Sequence, residues 1–119
     1  MSKHPIVHIE FSTRDREATG KFYAALFDWQ IQQIPEMNYA TFEAEDGPRG
    51  GFNPINKDNP AGTVLVYVST DDIEASLAKA ESLGAKILAH QTEIPGMGFW
   101  GVFQDPDGNH VALYKVLKP

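Results

Sequence analysis

One short run of residues occurs twice in this chain, and that duplication restricts the fold more than any other feature. Ser12-Thr13-Arg14-Asp15-Arg16-Glu17 returns as Ser69-Thr70-Asp71-Asp72-Ile73-Glu74, with four of the six positions identical. Each copy follows an apolar, strand-like run, Ile6-Val7-His8-Ile9-Glu10-Phe11 and then Thr63-Val64-Leu65-Val66-Tyr67-Val68, and each precedes a helical pattern. Further on, Ile34-Pro35-Glu36-Met37-Asn38-Tyr39 is echoed by Ile94-Pro95-Gly96-Met97-Gly98-Phe99, and Asp46-Gly47 by Asp107-Gly108. Matches that keep the same order along both halves point to two copies of one folding unit.

Local signals define that unit. Helical spacing of Ala18, Phe22 and Leu26 predicts a helix over about Arg14–Phe27. The second helix is expected to begin at Thr70 or Asp71, because Asp71 and Glu74 have capping-box spacing. Ile73, Leu77 and Ala80 supply its apolar face and Gly84 its stop. Runs rich in Val, Ile, Thr and aromatics predict strands near 6–12, 29–34, 38–44 and 49–53, and again near 63–69, 85–90, 98–104 and 110–116. The chain thus divides into repeat one (about 5–53), a Pro- and Asn-containing linker (54–62) and repeat two (about 63–116). Each repeat reads strand, helix, then three strands. A small sheet covered by one helix leaves its other face bare. Two βαβββ repeats are therefore expected to form an α+β fold, a curved mixed sheet around a concave pocket suited to a small molecule.

Composition removes several functions. A net charge of −6 without a basic cluster argues against nucleic acid and anionic membrane surfaces as partners. The absence of cysteine excludes disulfides, zinc–thiolate sites and a cysteine nucleophile. No segment is apolar enough for a transmembrane helix, and Met1-Ser2-Lys3-His4-Pro5 lacks the apolar run of a secretory signal. The expectation is a single soluble domain in the cytoplasm.

The order of His8-Ile9-Glu10-Phe11, Phe22-Tyr23, Leu26-Phe27-Asp28-Trp29, Gly50-Gly51-Phe52, Asp71-Asp72-Ile73, Ile94-Pro95-Gly96 and Phe103-Gln104-Asp105-Pro106-Asp107-Gly108-Asn109 resembles the vicinal oxygen chelate superfamily. That superfamily includes glyoxalase I, methylmalonyl-CoA epimerase, extradiol dioxygenases and bleomycin-resistance proteins. The resemblance spans nearly the whole chain, and its most specific piece is Phe103 to Asn109. It implies a divalent metal held by His or Glu from the first and last strands of each repeat. His8 matches the first of these places. The corresponding place 57 residues later is Leu65. The glutamate place in the last strand, after Asp107-Gly108-Asn109, is Ala112, and its counterpart 61 residues earlier is Gly51. Leu, Ala and Gly cannot coordinate a cation, so no metal is expected at the usual site. The alternative is a rearranged divalent-metal site using His8, Glu10 and His110.

Strand alternation places Glu10 with His8, and His110 and Tyr114 with Ala112. The residues expected to contact a ligand are His8, Glu10, Leu65, Tyr67, His110, Ala112 and Tyr114. His8 and Glu10 are the candidate catalytic pair, since imidazole and carboxylate can exchange protons with a carbon acid. Phe99 and Phe103 should share one strand face and Trp100 the other, while Gln91 to Gly98 reads as a mobile rim. Three functions remain open. One is a small-molecule-binding protein without the usual metal, another a lyase, isomerase or dioxygenase with an altered site, and the last an interaction module. The resemblance, and the open sheet edges, imply a homodimer.

Overall fold

The computed structural model describes residues 4–117. It contains eight strands and two α-helices in the order β1 (Ile6–Thr13), α1 (Arg16–Phe27), β2 (Gln30–Ile34), a 3-10 turn (Pro35–Met37), β3 (Tyr39–Glu43), β4 (Arg49–Pro54), β5 (Val64–Ser69), α2 (Ile73–Ser82), β6 (Lys86–Ile94), β7 (Gly98–Gln104) and β8 (His110–Val116). The α+β class and the repeated strand–helix–strand–strand–strand order are as expected. The contacts divide into a first unit, 7–65, and a second, 66–117 with 4–6 among the described residues.

In the first unit the strands run in the order β2-β3-β4-β1, with β1 and β4 parallel and the other neighbours antiparallel. Glu10 stands opposite Gly51, and Thr41 stands opposite Gly51 from the other side. Because side chains alternate, this register sorts the sheet into two faces. Phe11, Ala40, Phe42 and Phe52 point towards α1, where Tyr23, Trp29 and Ile31 complete the core. The rings stack closely, with Trp29 and Phe42 centroids 4.5 Å apart and Tyr23 and Phe52 5.6 Å apart. Phe52 is fully buried, which stabilises the unit by roughly 1.5–3 kcal/mol.

Helix α1 is capped by Asp15, whose carboxylate accepts from the Glu17 and Ala18 amides at 3.1 Å. Its buried side is not the one that carries Ala18, Phe22 and Leu26. Phe22 and Leu26 are exposed, and the inward residues are Gly20, Tyr23 and Ala24. The reason is a close approach to β2. A Cβ on Gly20 would come within 2.9 Å of Ile31 Cγ2, so the helix turns its glycine to the sheet and carries Tyr23 into the ring stack.

The second unit repeats this order as β5-β8-β7-β6, with β5 and β8 parallel. Ile73, Leu77 and Leu113 form its core, joined by Val68, Ile87, Phe99 and Phe103. Phe99 and Phe103 thus face α2, and Trp100, opposite Tyr114, faces away. The cap of α2 is Asp72, which accepts from the Ala75 amide at 3.0 Å, rather than Thr70 or Asp71. The Thr70 hydroxyl is engaged with Ser76 at 2.7 Å, as Thr13 is with Thr19 at 2.6 Å in the first unit. No Asp71–Glu74 box forms, because Glu74 reaches Gln91 and His90 instead. Gly84 ends the helix region with φ +105°, a conformation that favours glycine. The first half of the segment expected as a mobile rim, 91–94, is the end of β6, and a tight turn follows in which the Met97 amide donates to the Ile94 carbonyl at 2.9 Å. Among the described residues no helix is long and apolar enough to cross a membrane.

Candidate functional site

Four polar side chains gather on the first-unit sheet face that points away from α1. The register makes this unavoidable. His8 and Glu10 alternate along β1, Tyr39 projects from β3, and Gly51 and Asn53 lie on β4 beside Glu10 and Ser12. Tyr39 Oη donates to Glu10 Oε2 at 2.7 Å, and His8 Nε2 lies 2.7 Å from the same hydroxyl. Asn53 Nδ2 donates to Glu10 Oε1 at 3.3 Å. His8 Nε2 is itself 3.7 Å from Glu10 Oε2. The Glu10 side chain is only 9% exposed, against 27% for His8. A carboxylate so far removed from water needs donors, and Tyr39 and Asn53 supply them.

The structure therefore brings His8 and Glu10 together, as the sequence suggested, and adds Tyr39 and Asn53. Tyr39 had been visible only as an echo of Phe99. A usable signal was Gly51, since glycine inside a strand often marks close approach by another group. The remaining expected ligand contacts are carried by β5 and β8. Leu65 is buried on β5. Tyr67 stands opposite the fully buried Ala112, and Tyr114 donates to the Met97 carbonyl at 3.0 Å. His110 is exposed where β8 begins, opposite Gln104. The register pairs Glu10 with Gly51 and Tyr67 with Ala112, so the two β1/β4-type seams are equivalent.

Within the motif most specific to the resemblance, Phe103 to Asn109, residues 105–109 form a turn that follows β7. Asp105 accepts from the side-chain and backbone nitrogens of Asn109 at 2.9 and 2.8 Å and from the Asp107 amide at 2.9 Å. The Asn109 side chain, then its backbone, holds the Asp105 carboxyl below its ordinary range. The turn fixes where β8 starts and hence which residues share its faces. A second pairing, absent from the sequence reading, joins α2 to β6. Glu74 accepts from the Gln91 amide at 2.6 Å and meets His90 Nδ1 at 2.9 Å.

A divalent metal of the kind the resemblance implies does not fit these residues. Leu65, Ala112 and Gly51 offer no donor atoms at three of the four family places. Among the described residues no group of three His, Asp or Glu side chains is gathered as a metal ion would require.

The model of a glyoxalase-like domain family matches residues 8–114. A candidate glyoxylase of Mycobacterium tuberculosis, CFP32, is 34% identical over 83 residues, covering 70% of this chain and 31% of that protein. The chain thus spans about a third of that curated relative's length. Among solved structures, a glyoxalase/bleomycin resistance protein/dioxygenase superfamily member from Vibrio splendidus aligns with a TM-score of 0.70 at 15% identity, covering 95% of this chain and 99% of that one. A Mn(II)-bound glyoxalase from Novosphingobium aromaticivorans aligns with a TM-score of 0.67 at 20% identity, covering 92% of this chain and 38% of that one. These two are likenesses of fold. With its family model matched along nearly its entire length, the chain belongs to the glyoxalase-like domain family.

Proposed function

We propose that this chain binds a small organic molecule through hydrogen bonds on the first-unit face that carries His8, Glu10 and Tyr39. One observation carries the proposal. A nearly buried carboxylate is held in a continuous hydrogen-bonded chain with a tyrosine and a partly exposed histidine, on the sheet face its own helix does not cover. Sheets that need only stability seldom keep such a group inside, since an apolar residue there costs less desolvation. The equivalent seam of the second unit offers Tyr67, Ala112 and Tyr114, which are apolar or aromatic and lack a carboxylate. Kinship with a protein named as a glyoxylase supports the same class of ligand.

The same chain of hydrogen bonds favours a second reading. His8, Tyr39 and Glu10 are spaced to pass a proton, so an isomerase, lyase or dioxygenase using His8 and Glu10 is the alternative. A homodimer belongs to the proposal and predicts twice the 13.2 kDa chain mass in light scattering. The test is a thermal-shift screen against metabolites and antibiotics. A ligand that raises the melting temperature of wild type should lose most of that effect with His8→Ala. An equal shift in both proteins refutes this face as the binding site, and turnover of the ligand selects the enzymatic reading.

A further inference from the structure

The side-chain space of Gly51 is already taken. A Cβ built on Gly51 would lie 1.9 Å from Tyr39 Oη and 2.2 Å from Cζ, far inside any real contact. The phenol therefore stands where position 51, one of the four family ligand places, would project a donor towards His8. The bonding of the phenol then decides what His8 can do. A tyrosine hydroxyl has one proton, and here it goes to Glu10 Oε2 at 2.7 Å. The hydroxyl oxygen, 2.7 Å from His8 Nε2, is left to accept. His8 Nε2 must then be the donor, which requires that it carry a hydrogen. A protonated ring nitrogen has no lone pair to give a cation.

We infer that the Tyr39 hydroxyl takes the cation's place in the first unit. It joins His8 to Glu10 as a shared metal would, it closes position 51 to any side chain, and it fixes His8 Nε2 as a hydrogen-bond donor. Tyr39 is thus a positioning residue for His8 and Glu10. The centre presents a ligand with hydrogen bonds and an exchangeable proton where a metal centre presents a Lewis acid. Gly51 and Tyr39 form one device, since neither accounts for the other's placement alone. This inference is independent of the ligand proposal, because it concerns the protein before anything binds.

The experiment is nitrogen-15 NMR of the histidine rings in wild type and Tyr39→Phe, each titrated separately with Mn2+, Ni2+ and Zn2+ and followed in parallel by calorimetry. In metal-free wild type, His8 Nε2 should appear protonated, with a slowly exchanging hydrogen whose signal is lost in Tyr39→Phe. Metal should leave the wild-type His8 signals in place. Any binding unaffected by His8→Ala lies elsewhere and agrees with the inference. An unprotonated Nε2 in the metal-free protein overturns it. So does a saturable one-to-one metal complex that broadens or shifts the His8 signals and disappears in His8→Ala. None of these outcomes depends on whether the thermal-shift screen finds a ligand.

Discussion

Replacing Gly51 with alanine tests the Tyr39–Gly51 device through stability. Gly51 is not among the glycines with positive φ, so its backbone accepts alanine without strain. On backbone grounds alone, alanine in place of a strand glycine should stabilise by roughly 0.5–1 kcal/mol. The new methyl group, however, would lie 1.9 Å from Tyr39 Oη, so the phenol must move. Its bond to the Glu10 carboxylate contributes about 1.5–3 kcal/mol and its bond to His8 about 0.5–1.5 kcal/mol. Losing both against the backbone gain leaves a net destabilisation of about 1–4 kcal/mol, before any strain in the repacked sheet. In a Tyr39→Ala background the clash and both bonds are gone. Gly51→Ala should there be neutral or stabilising by up to about 1 kcal/mol. Urea unfolding followed by circular dichroism gives all four free energies of the cycle. Equal effects of Gly51→Ala in the two backgrounds would refute the reasoning, as would a wild-type effect within about 0.5 kcal/mol of zero.

Two further outcomes follow from the helix ends. Asp72→Ala should cost about 1 kcal/mol in urea unfolding, whereas Asp71→Ala should stay within about 0.5 kcal/mol, and the reverse ranking would restore Asp71 as the cap. Glu74 has its carboxyl held below the ordinary 4.5, first by the Gln91 amide and then by His90. A lowered folded value means that its contribution is complete above 4.5 and fades as pH falls through the lowered value. Glu74→Gln should therefore flatten the acid side of the stability profile while the profile of wild type keeps falling there, and parallel profiles would count against the pairing.

The repeat made most of the fold legible, because duplicated offsets carry register as well as topology. The 57- and 61-residue offsets carry Glu10 to Tyr67 and Gly51 to Ala112, and the structure keeps that equivalence by pairing Glu10 with Gly51 and Tyr67 with Ala112. Alternation correctly divided Trp100 from Phe99 and Phe103. The failures share a cause, in that each turned on a competing partner distant in sequence. The spacing of Phe22 and Leu26 marked a helix but not its inward side, which the contact of Gly20 with Ile31 sets. Capping-box spacing recruited Glu74, but the β6 backbone at Gln91 is the partner it finds. His8 and Glu10 were visible as a pair on one strand. Tyr39 was not, because it lies 29 residues from Glu10 and reaches it only when β3 and β4 are laid side by side.

The ring stack of the first unit has a consequence for measurement. The chain has two tryptophans, and the fold deals one to each unit. Trp29 is wedged among Tyr23, Phe27 and Phe42, while Trp100 lies half-buried on β7 across from Tyr114. Trp29→Phe and Trp100→Phe therefore yield a pair of proteins in which each fluorophore reports on one half of the duplication. Superimposed melting curves would mark the halves as a single cooperative body, and staggered curves would mark them as two.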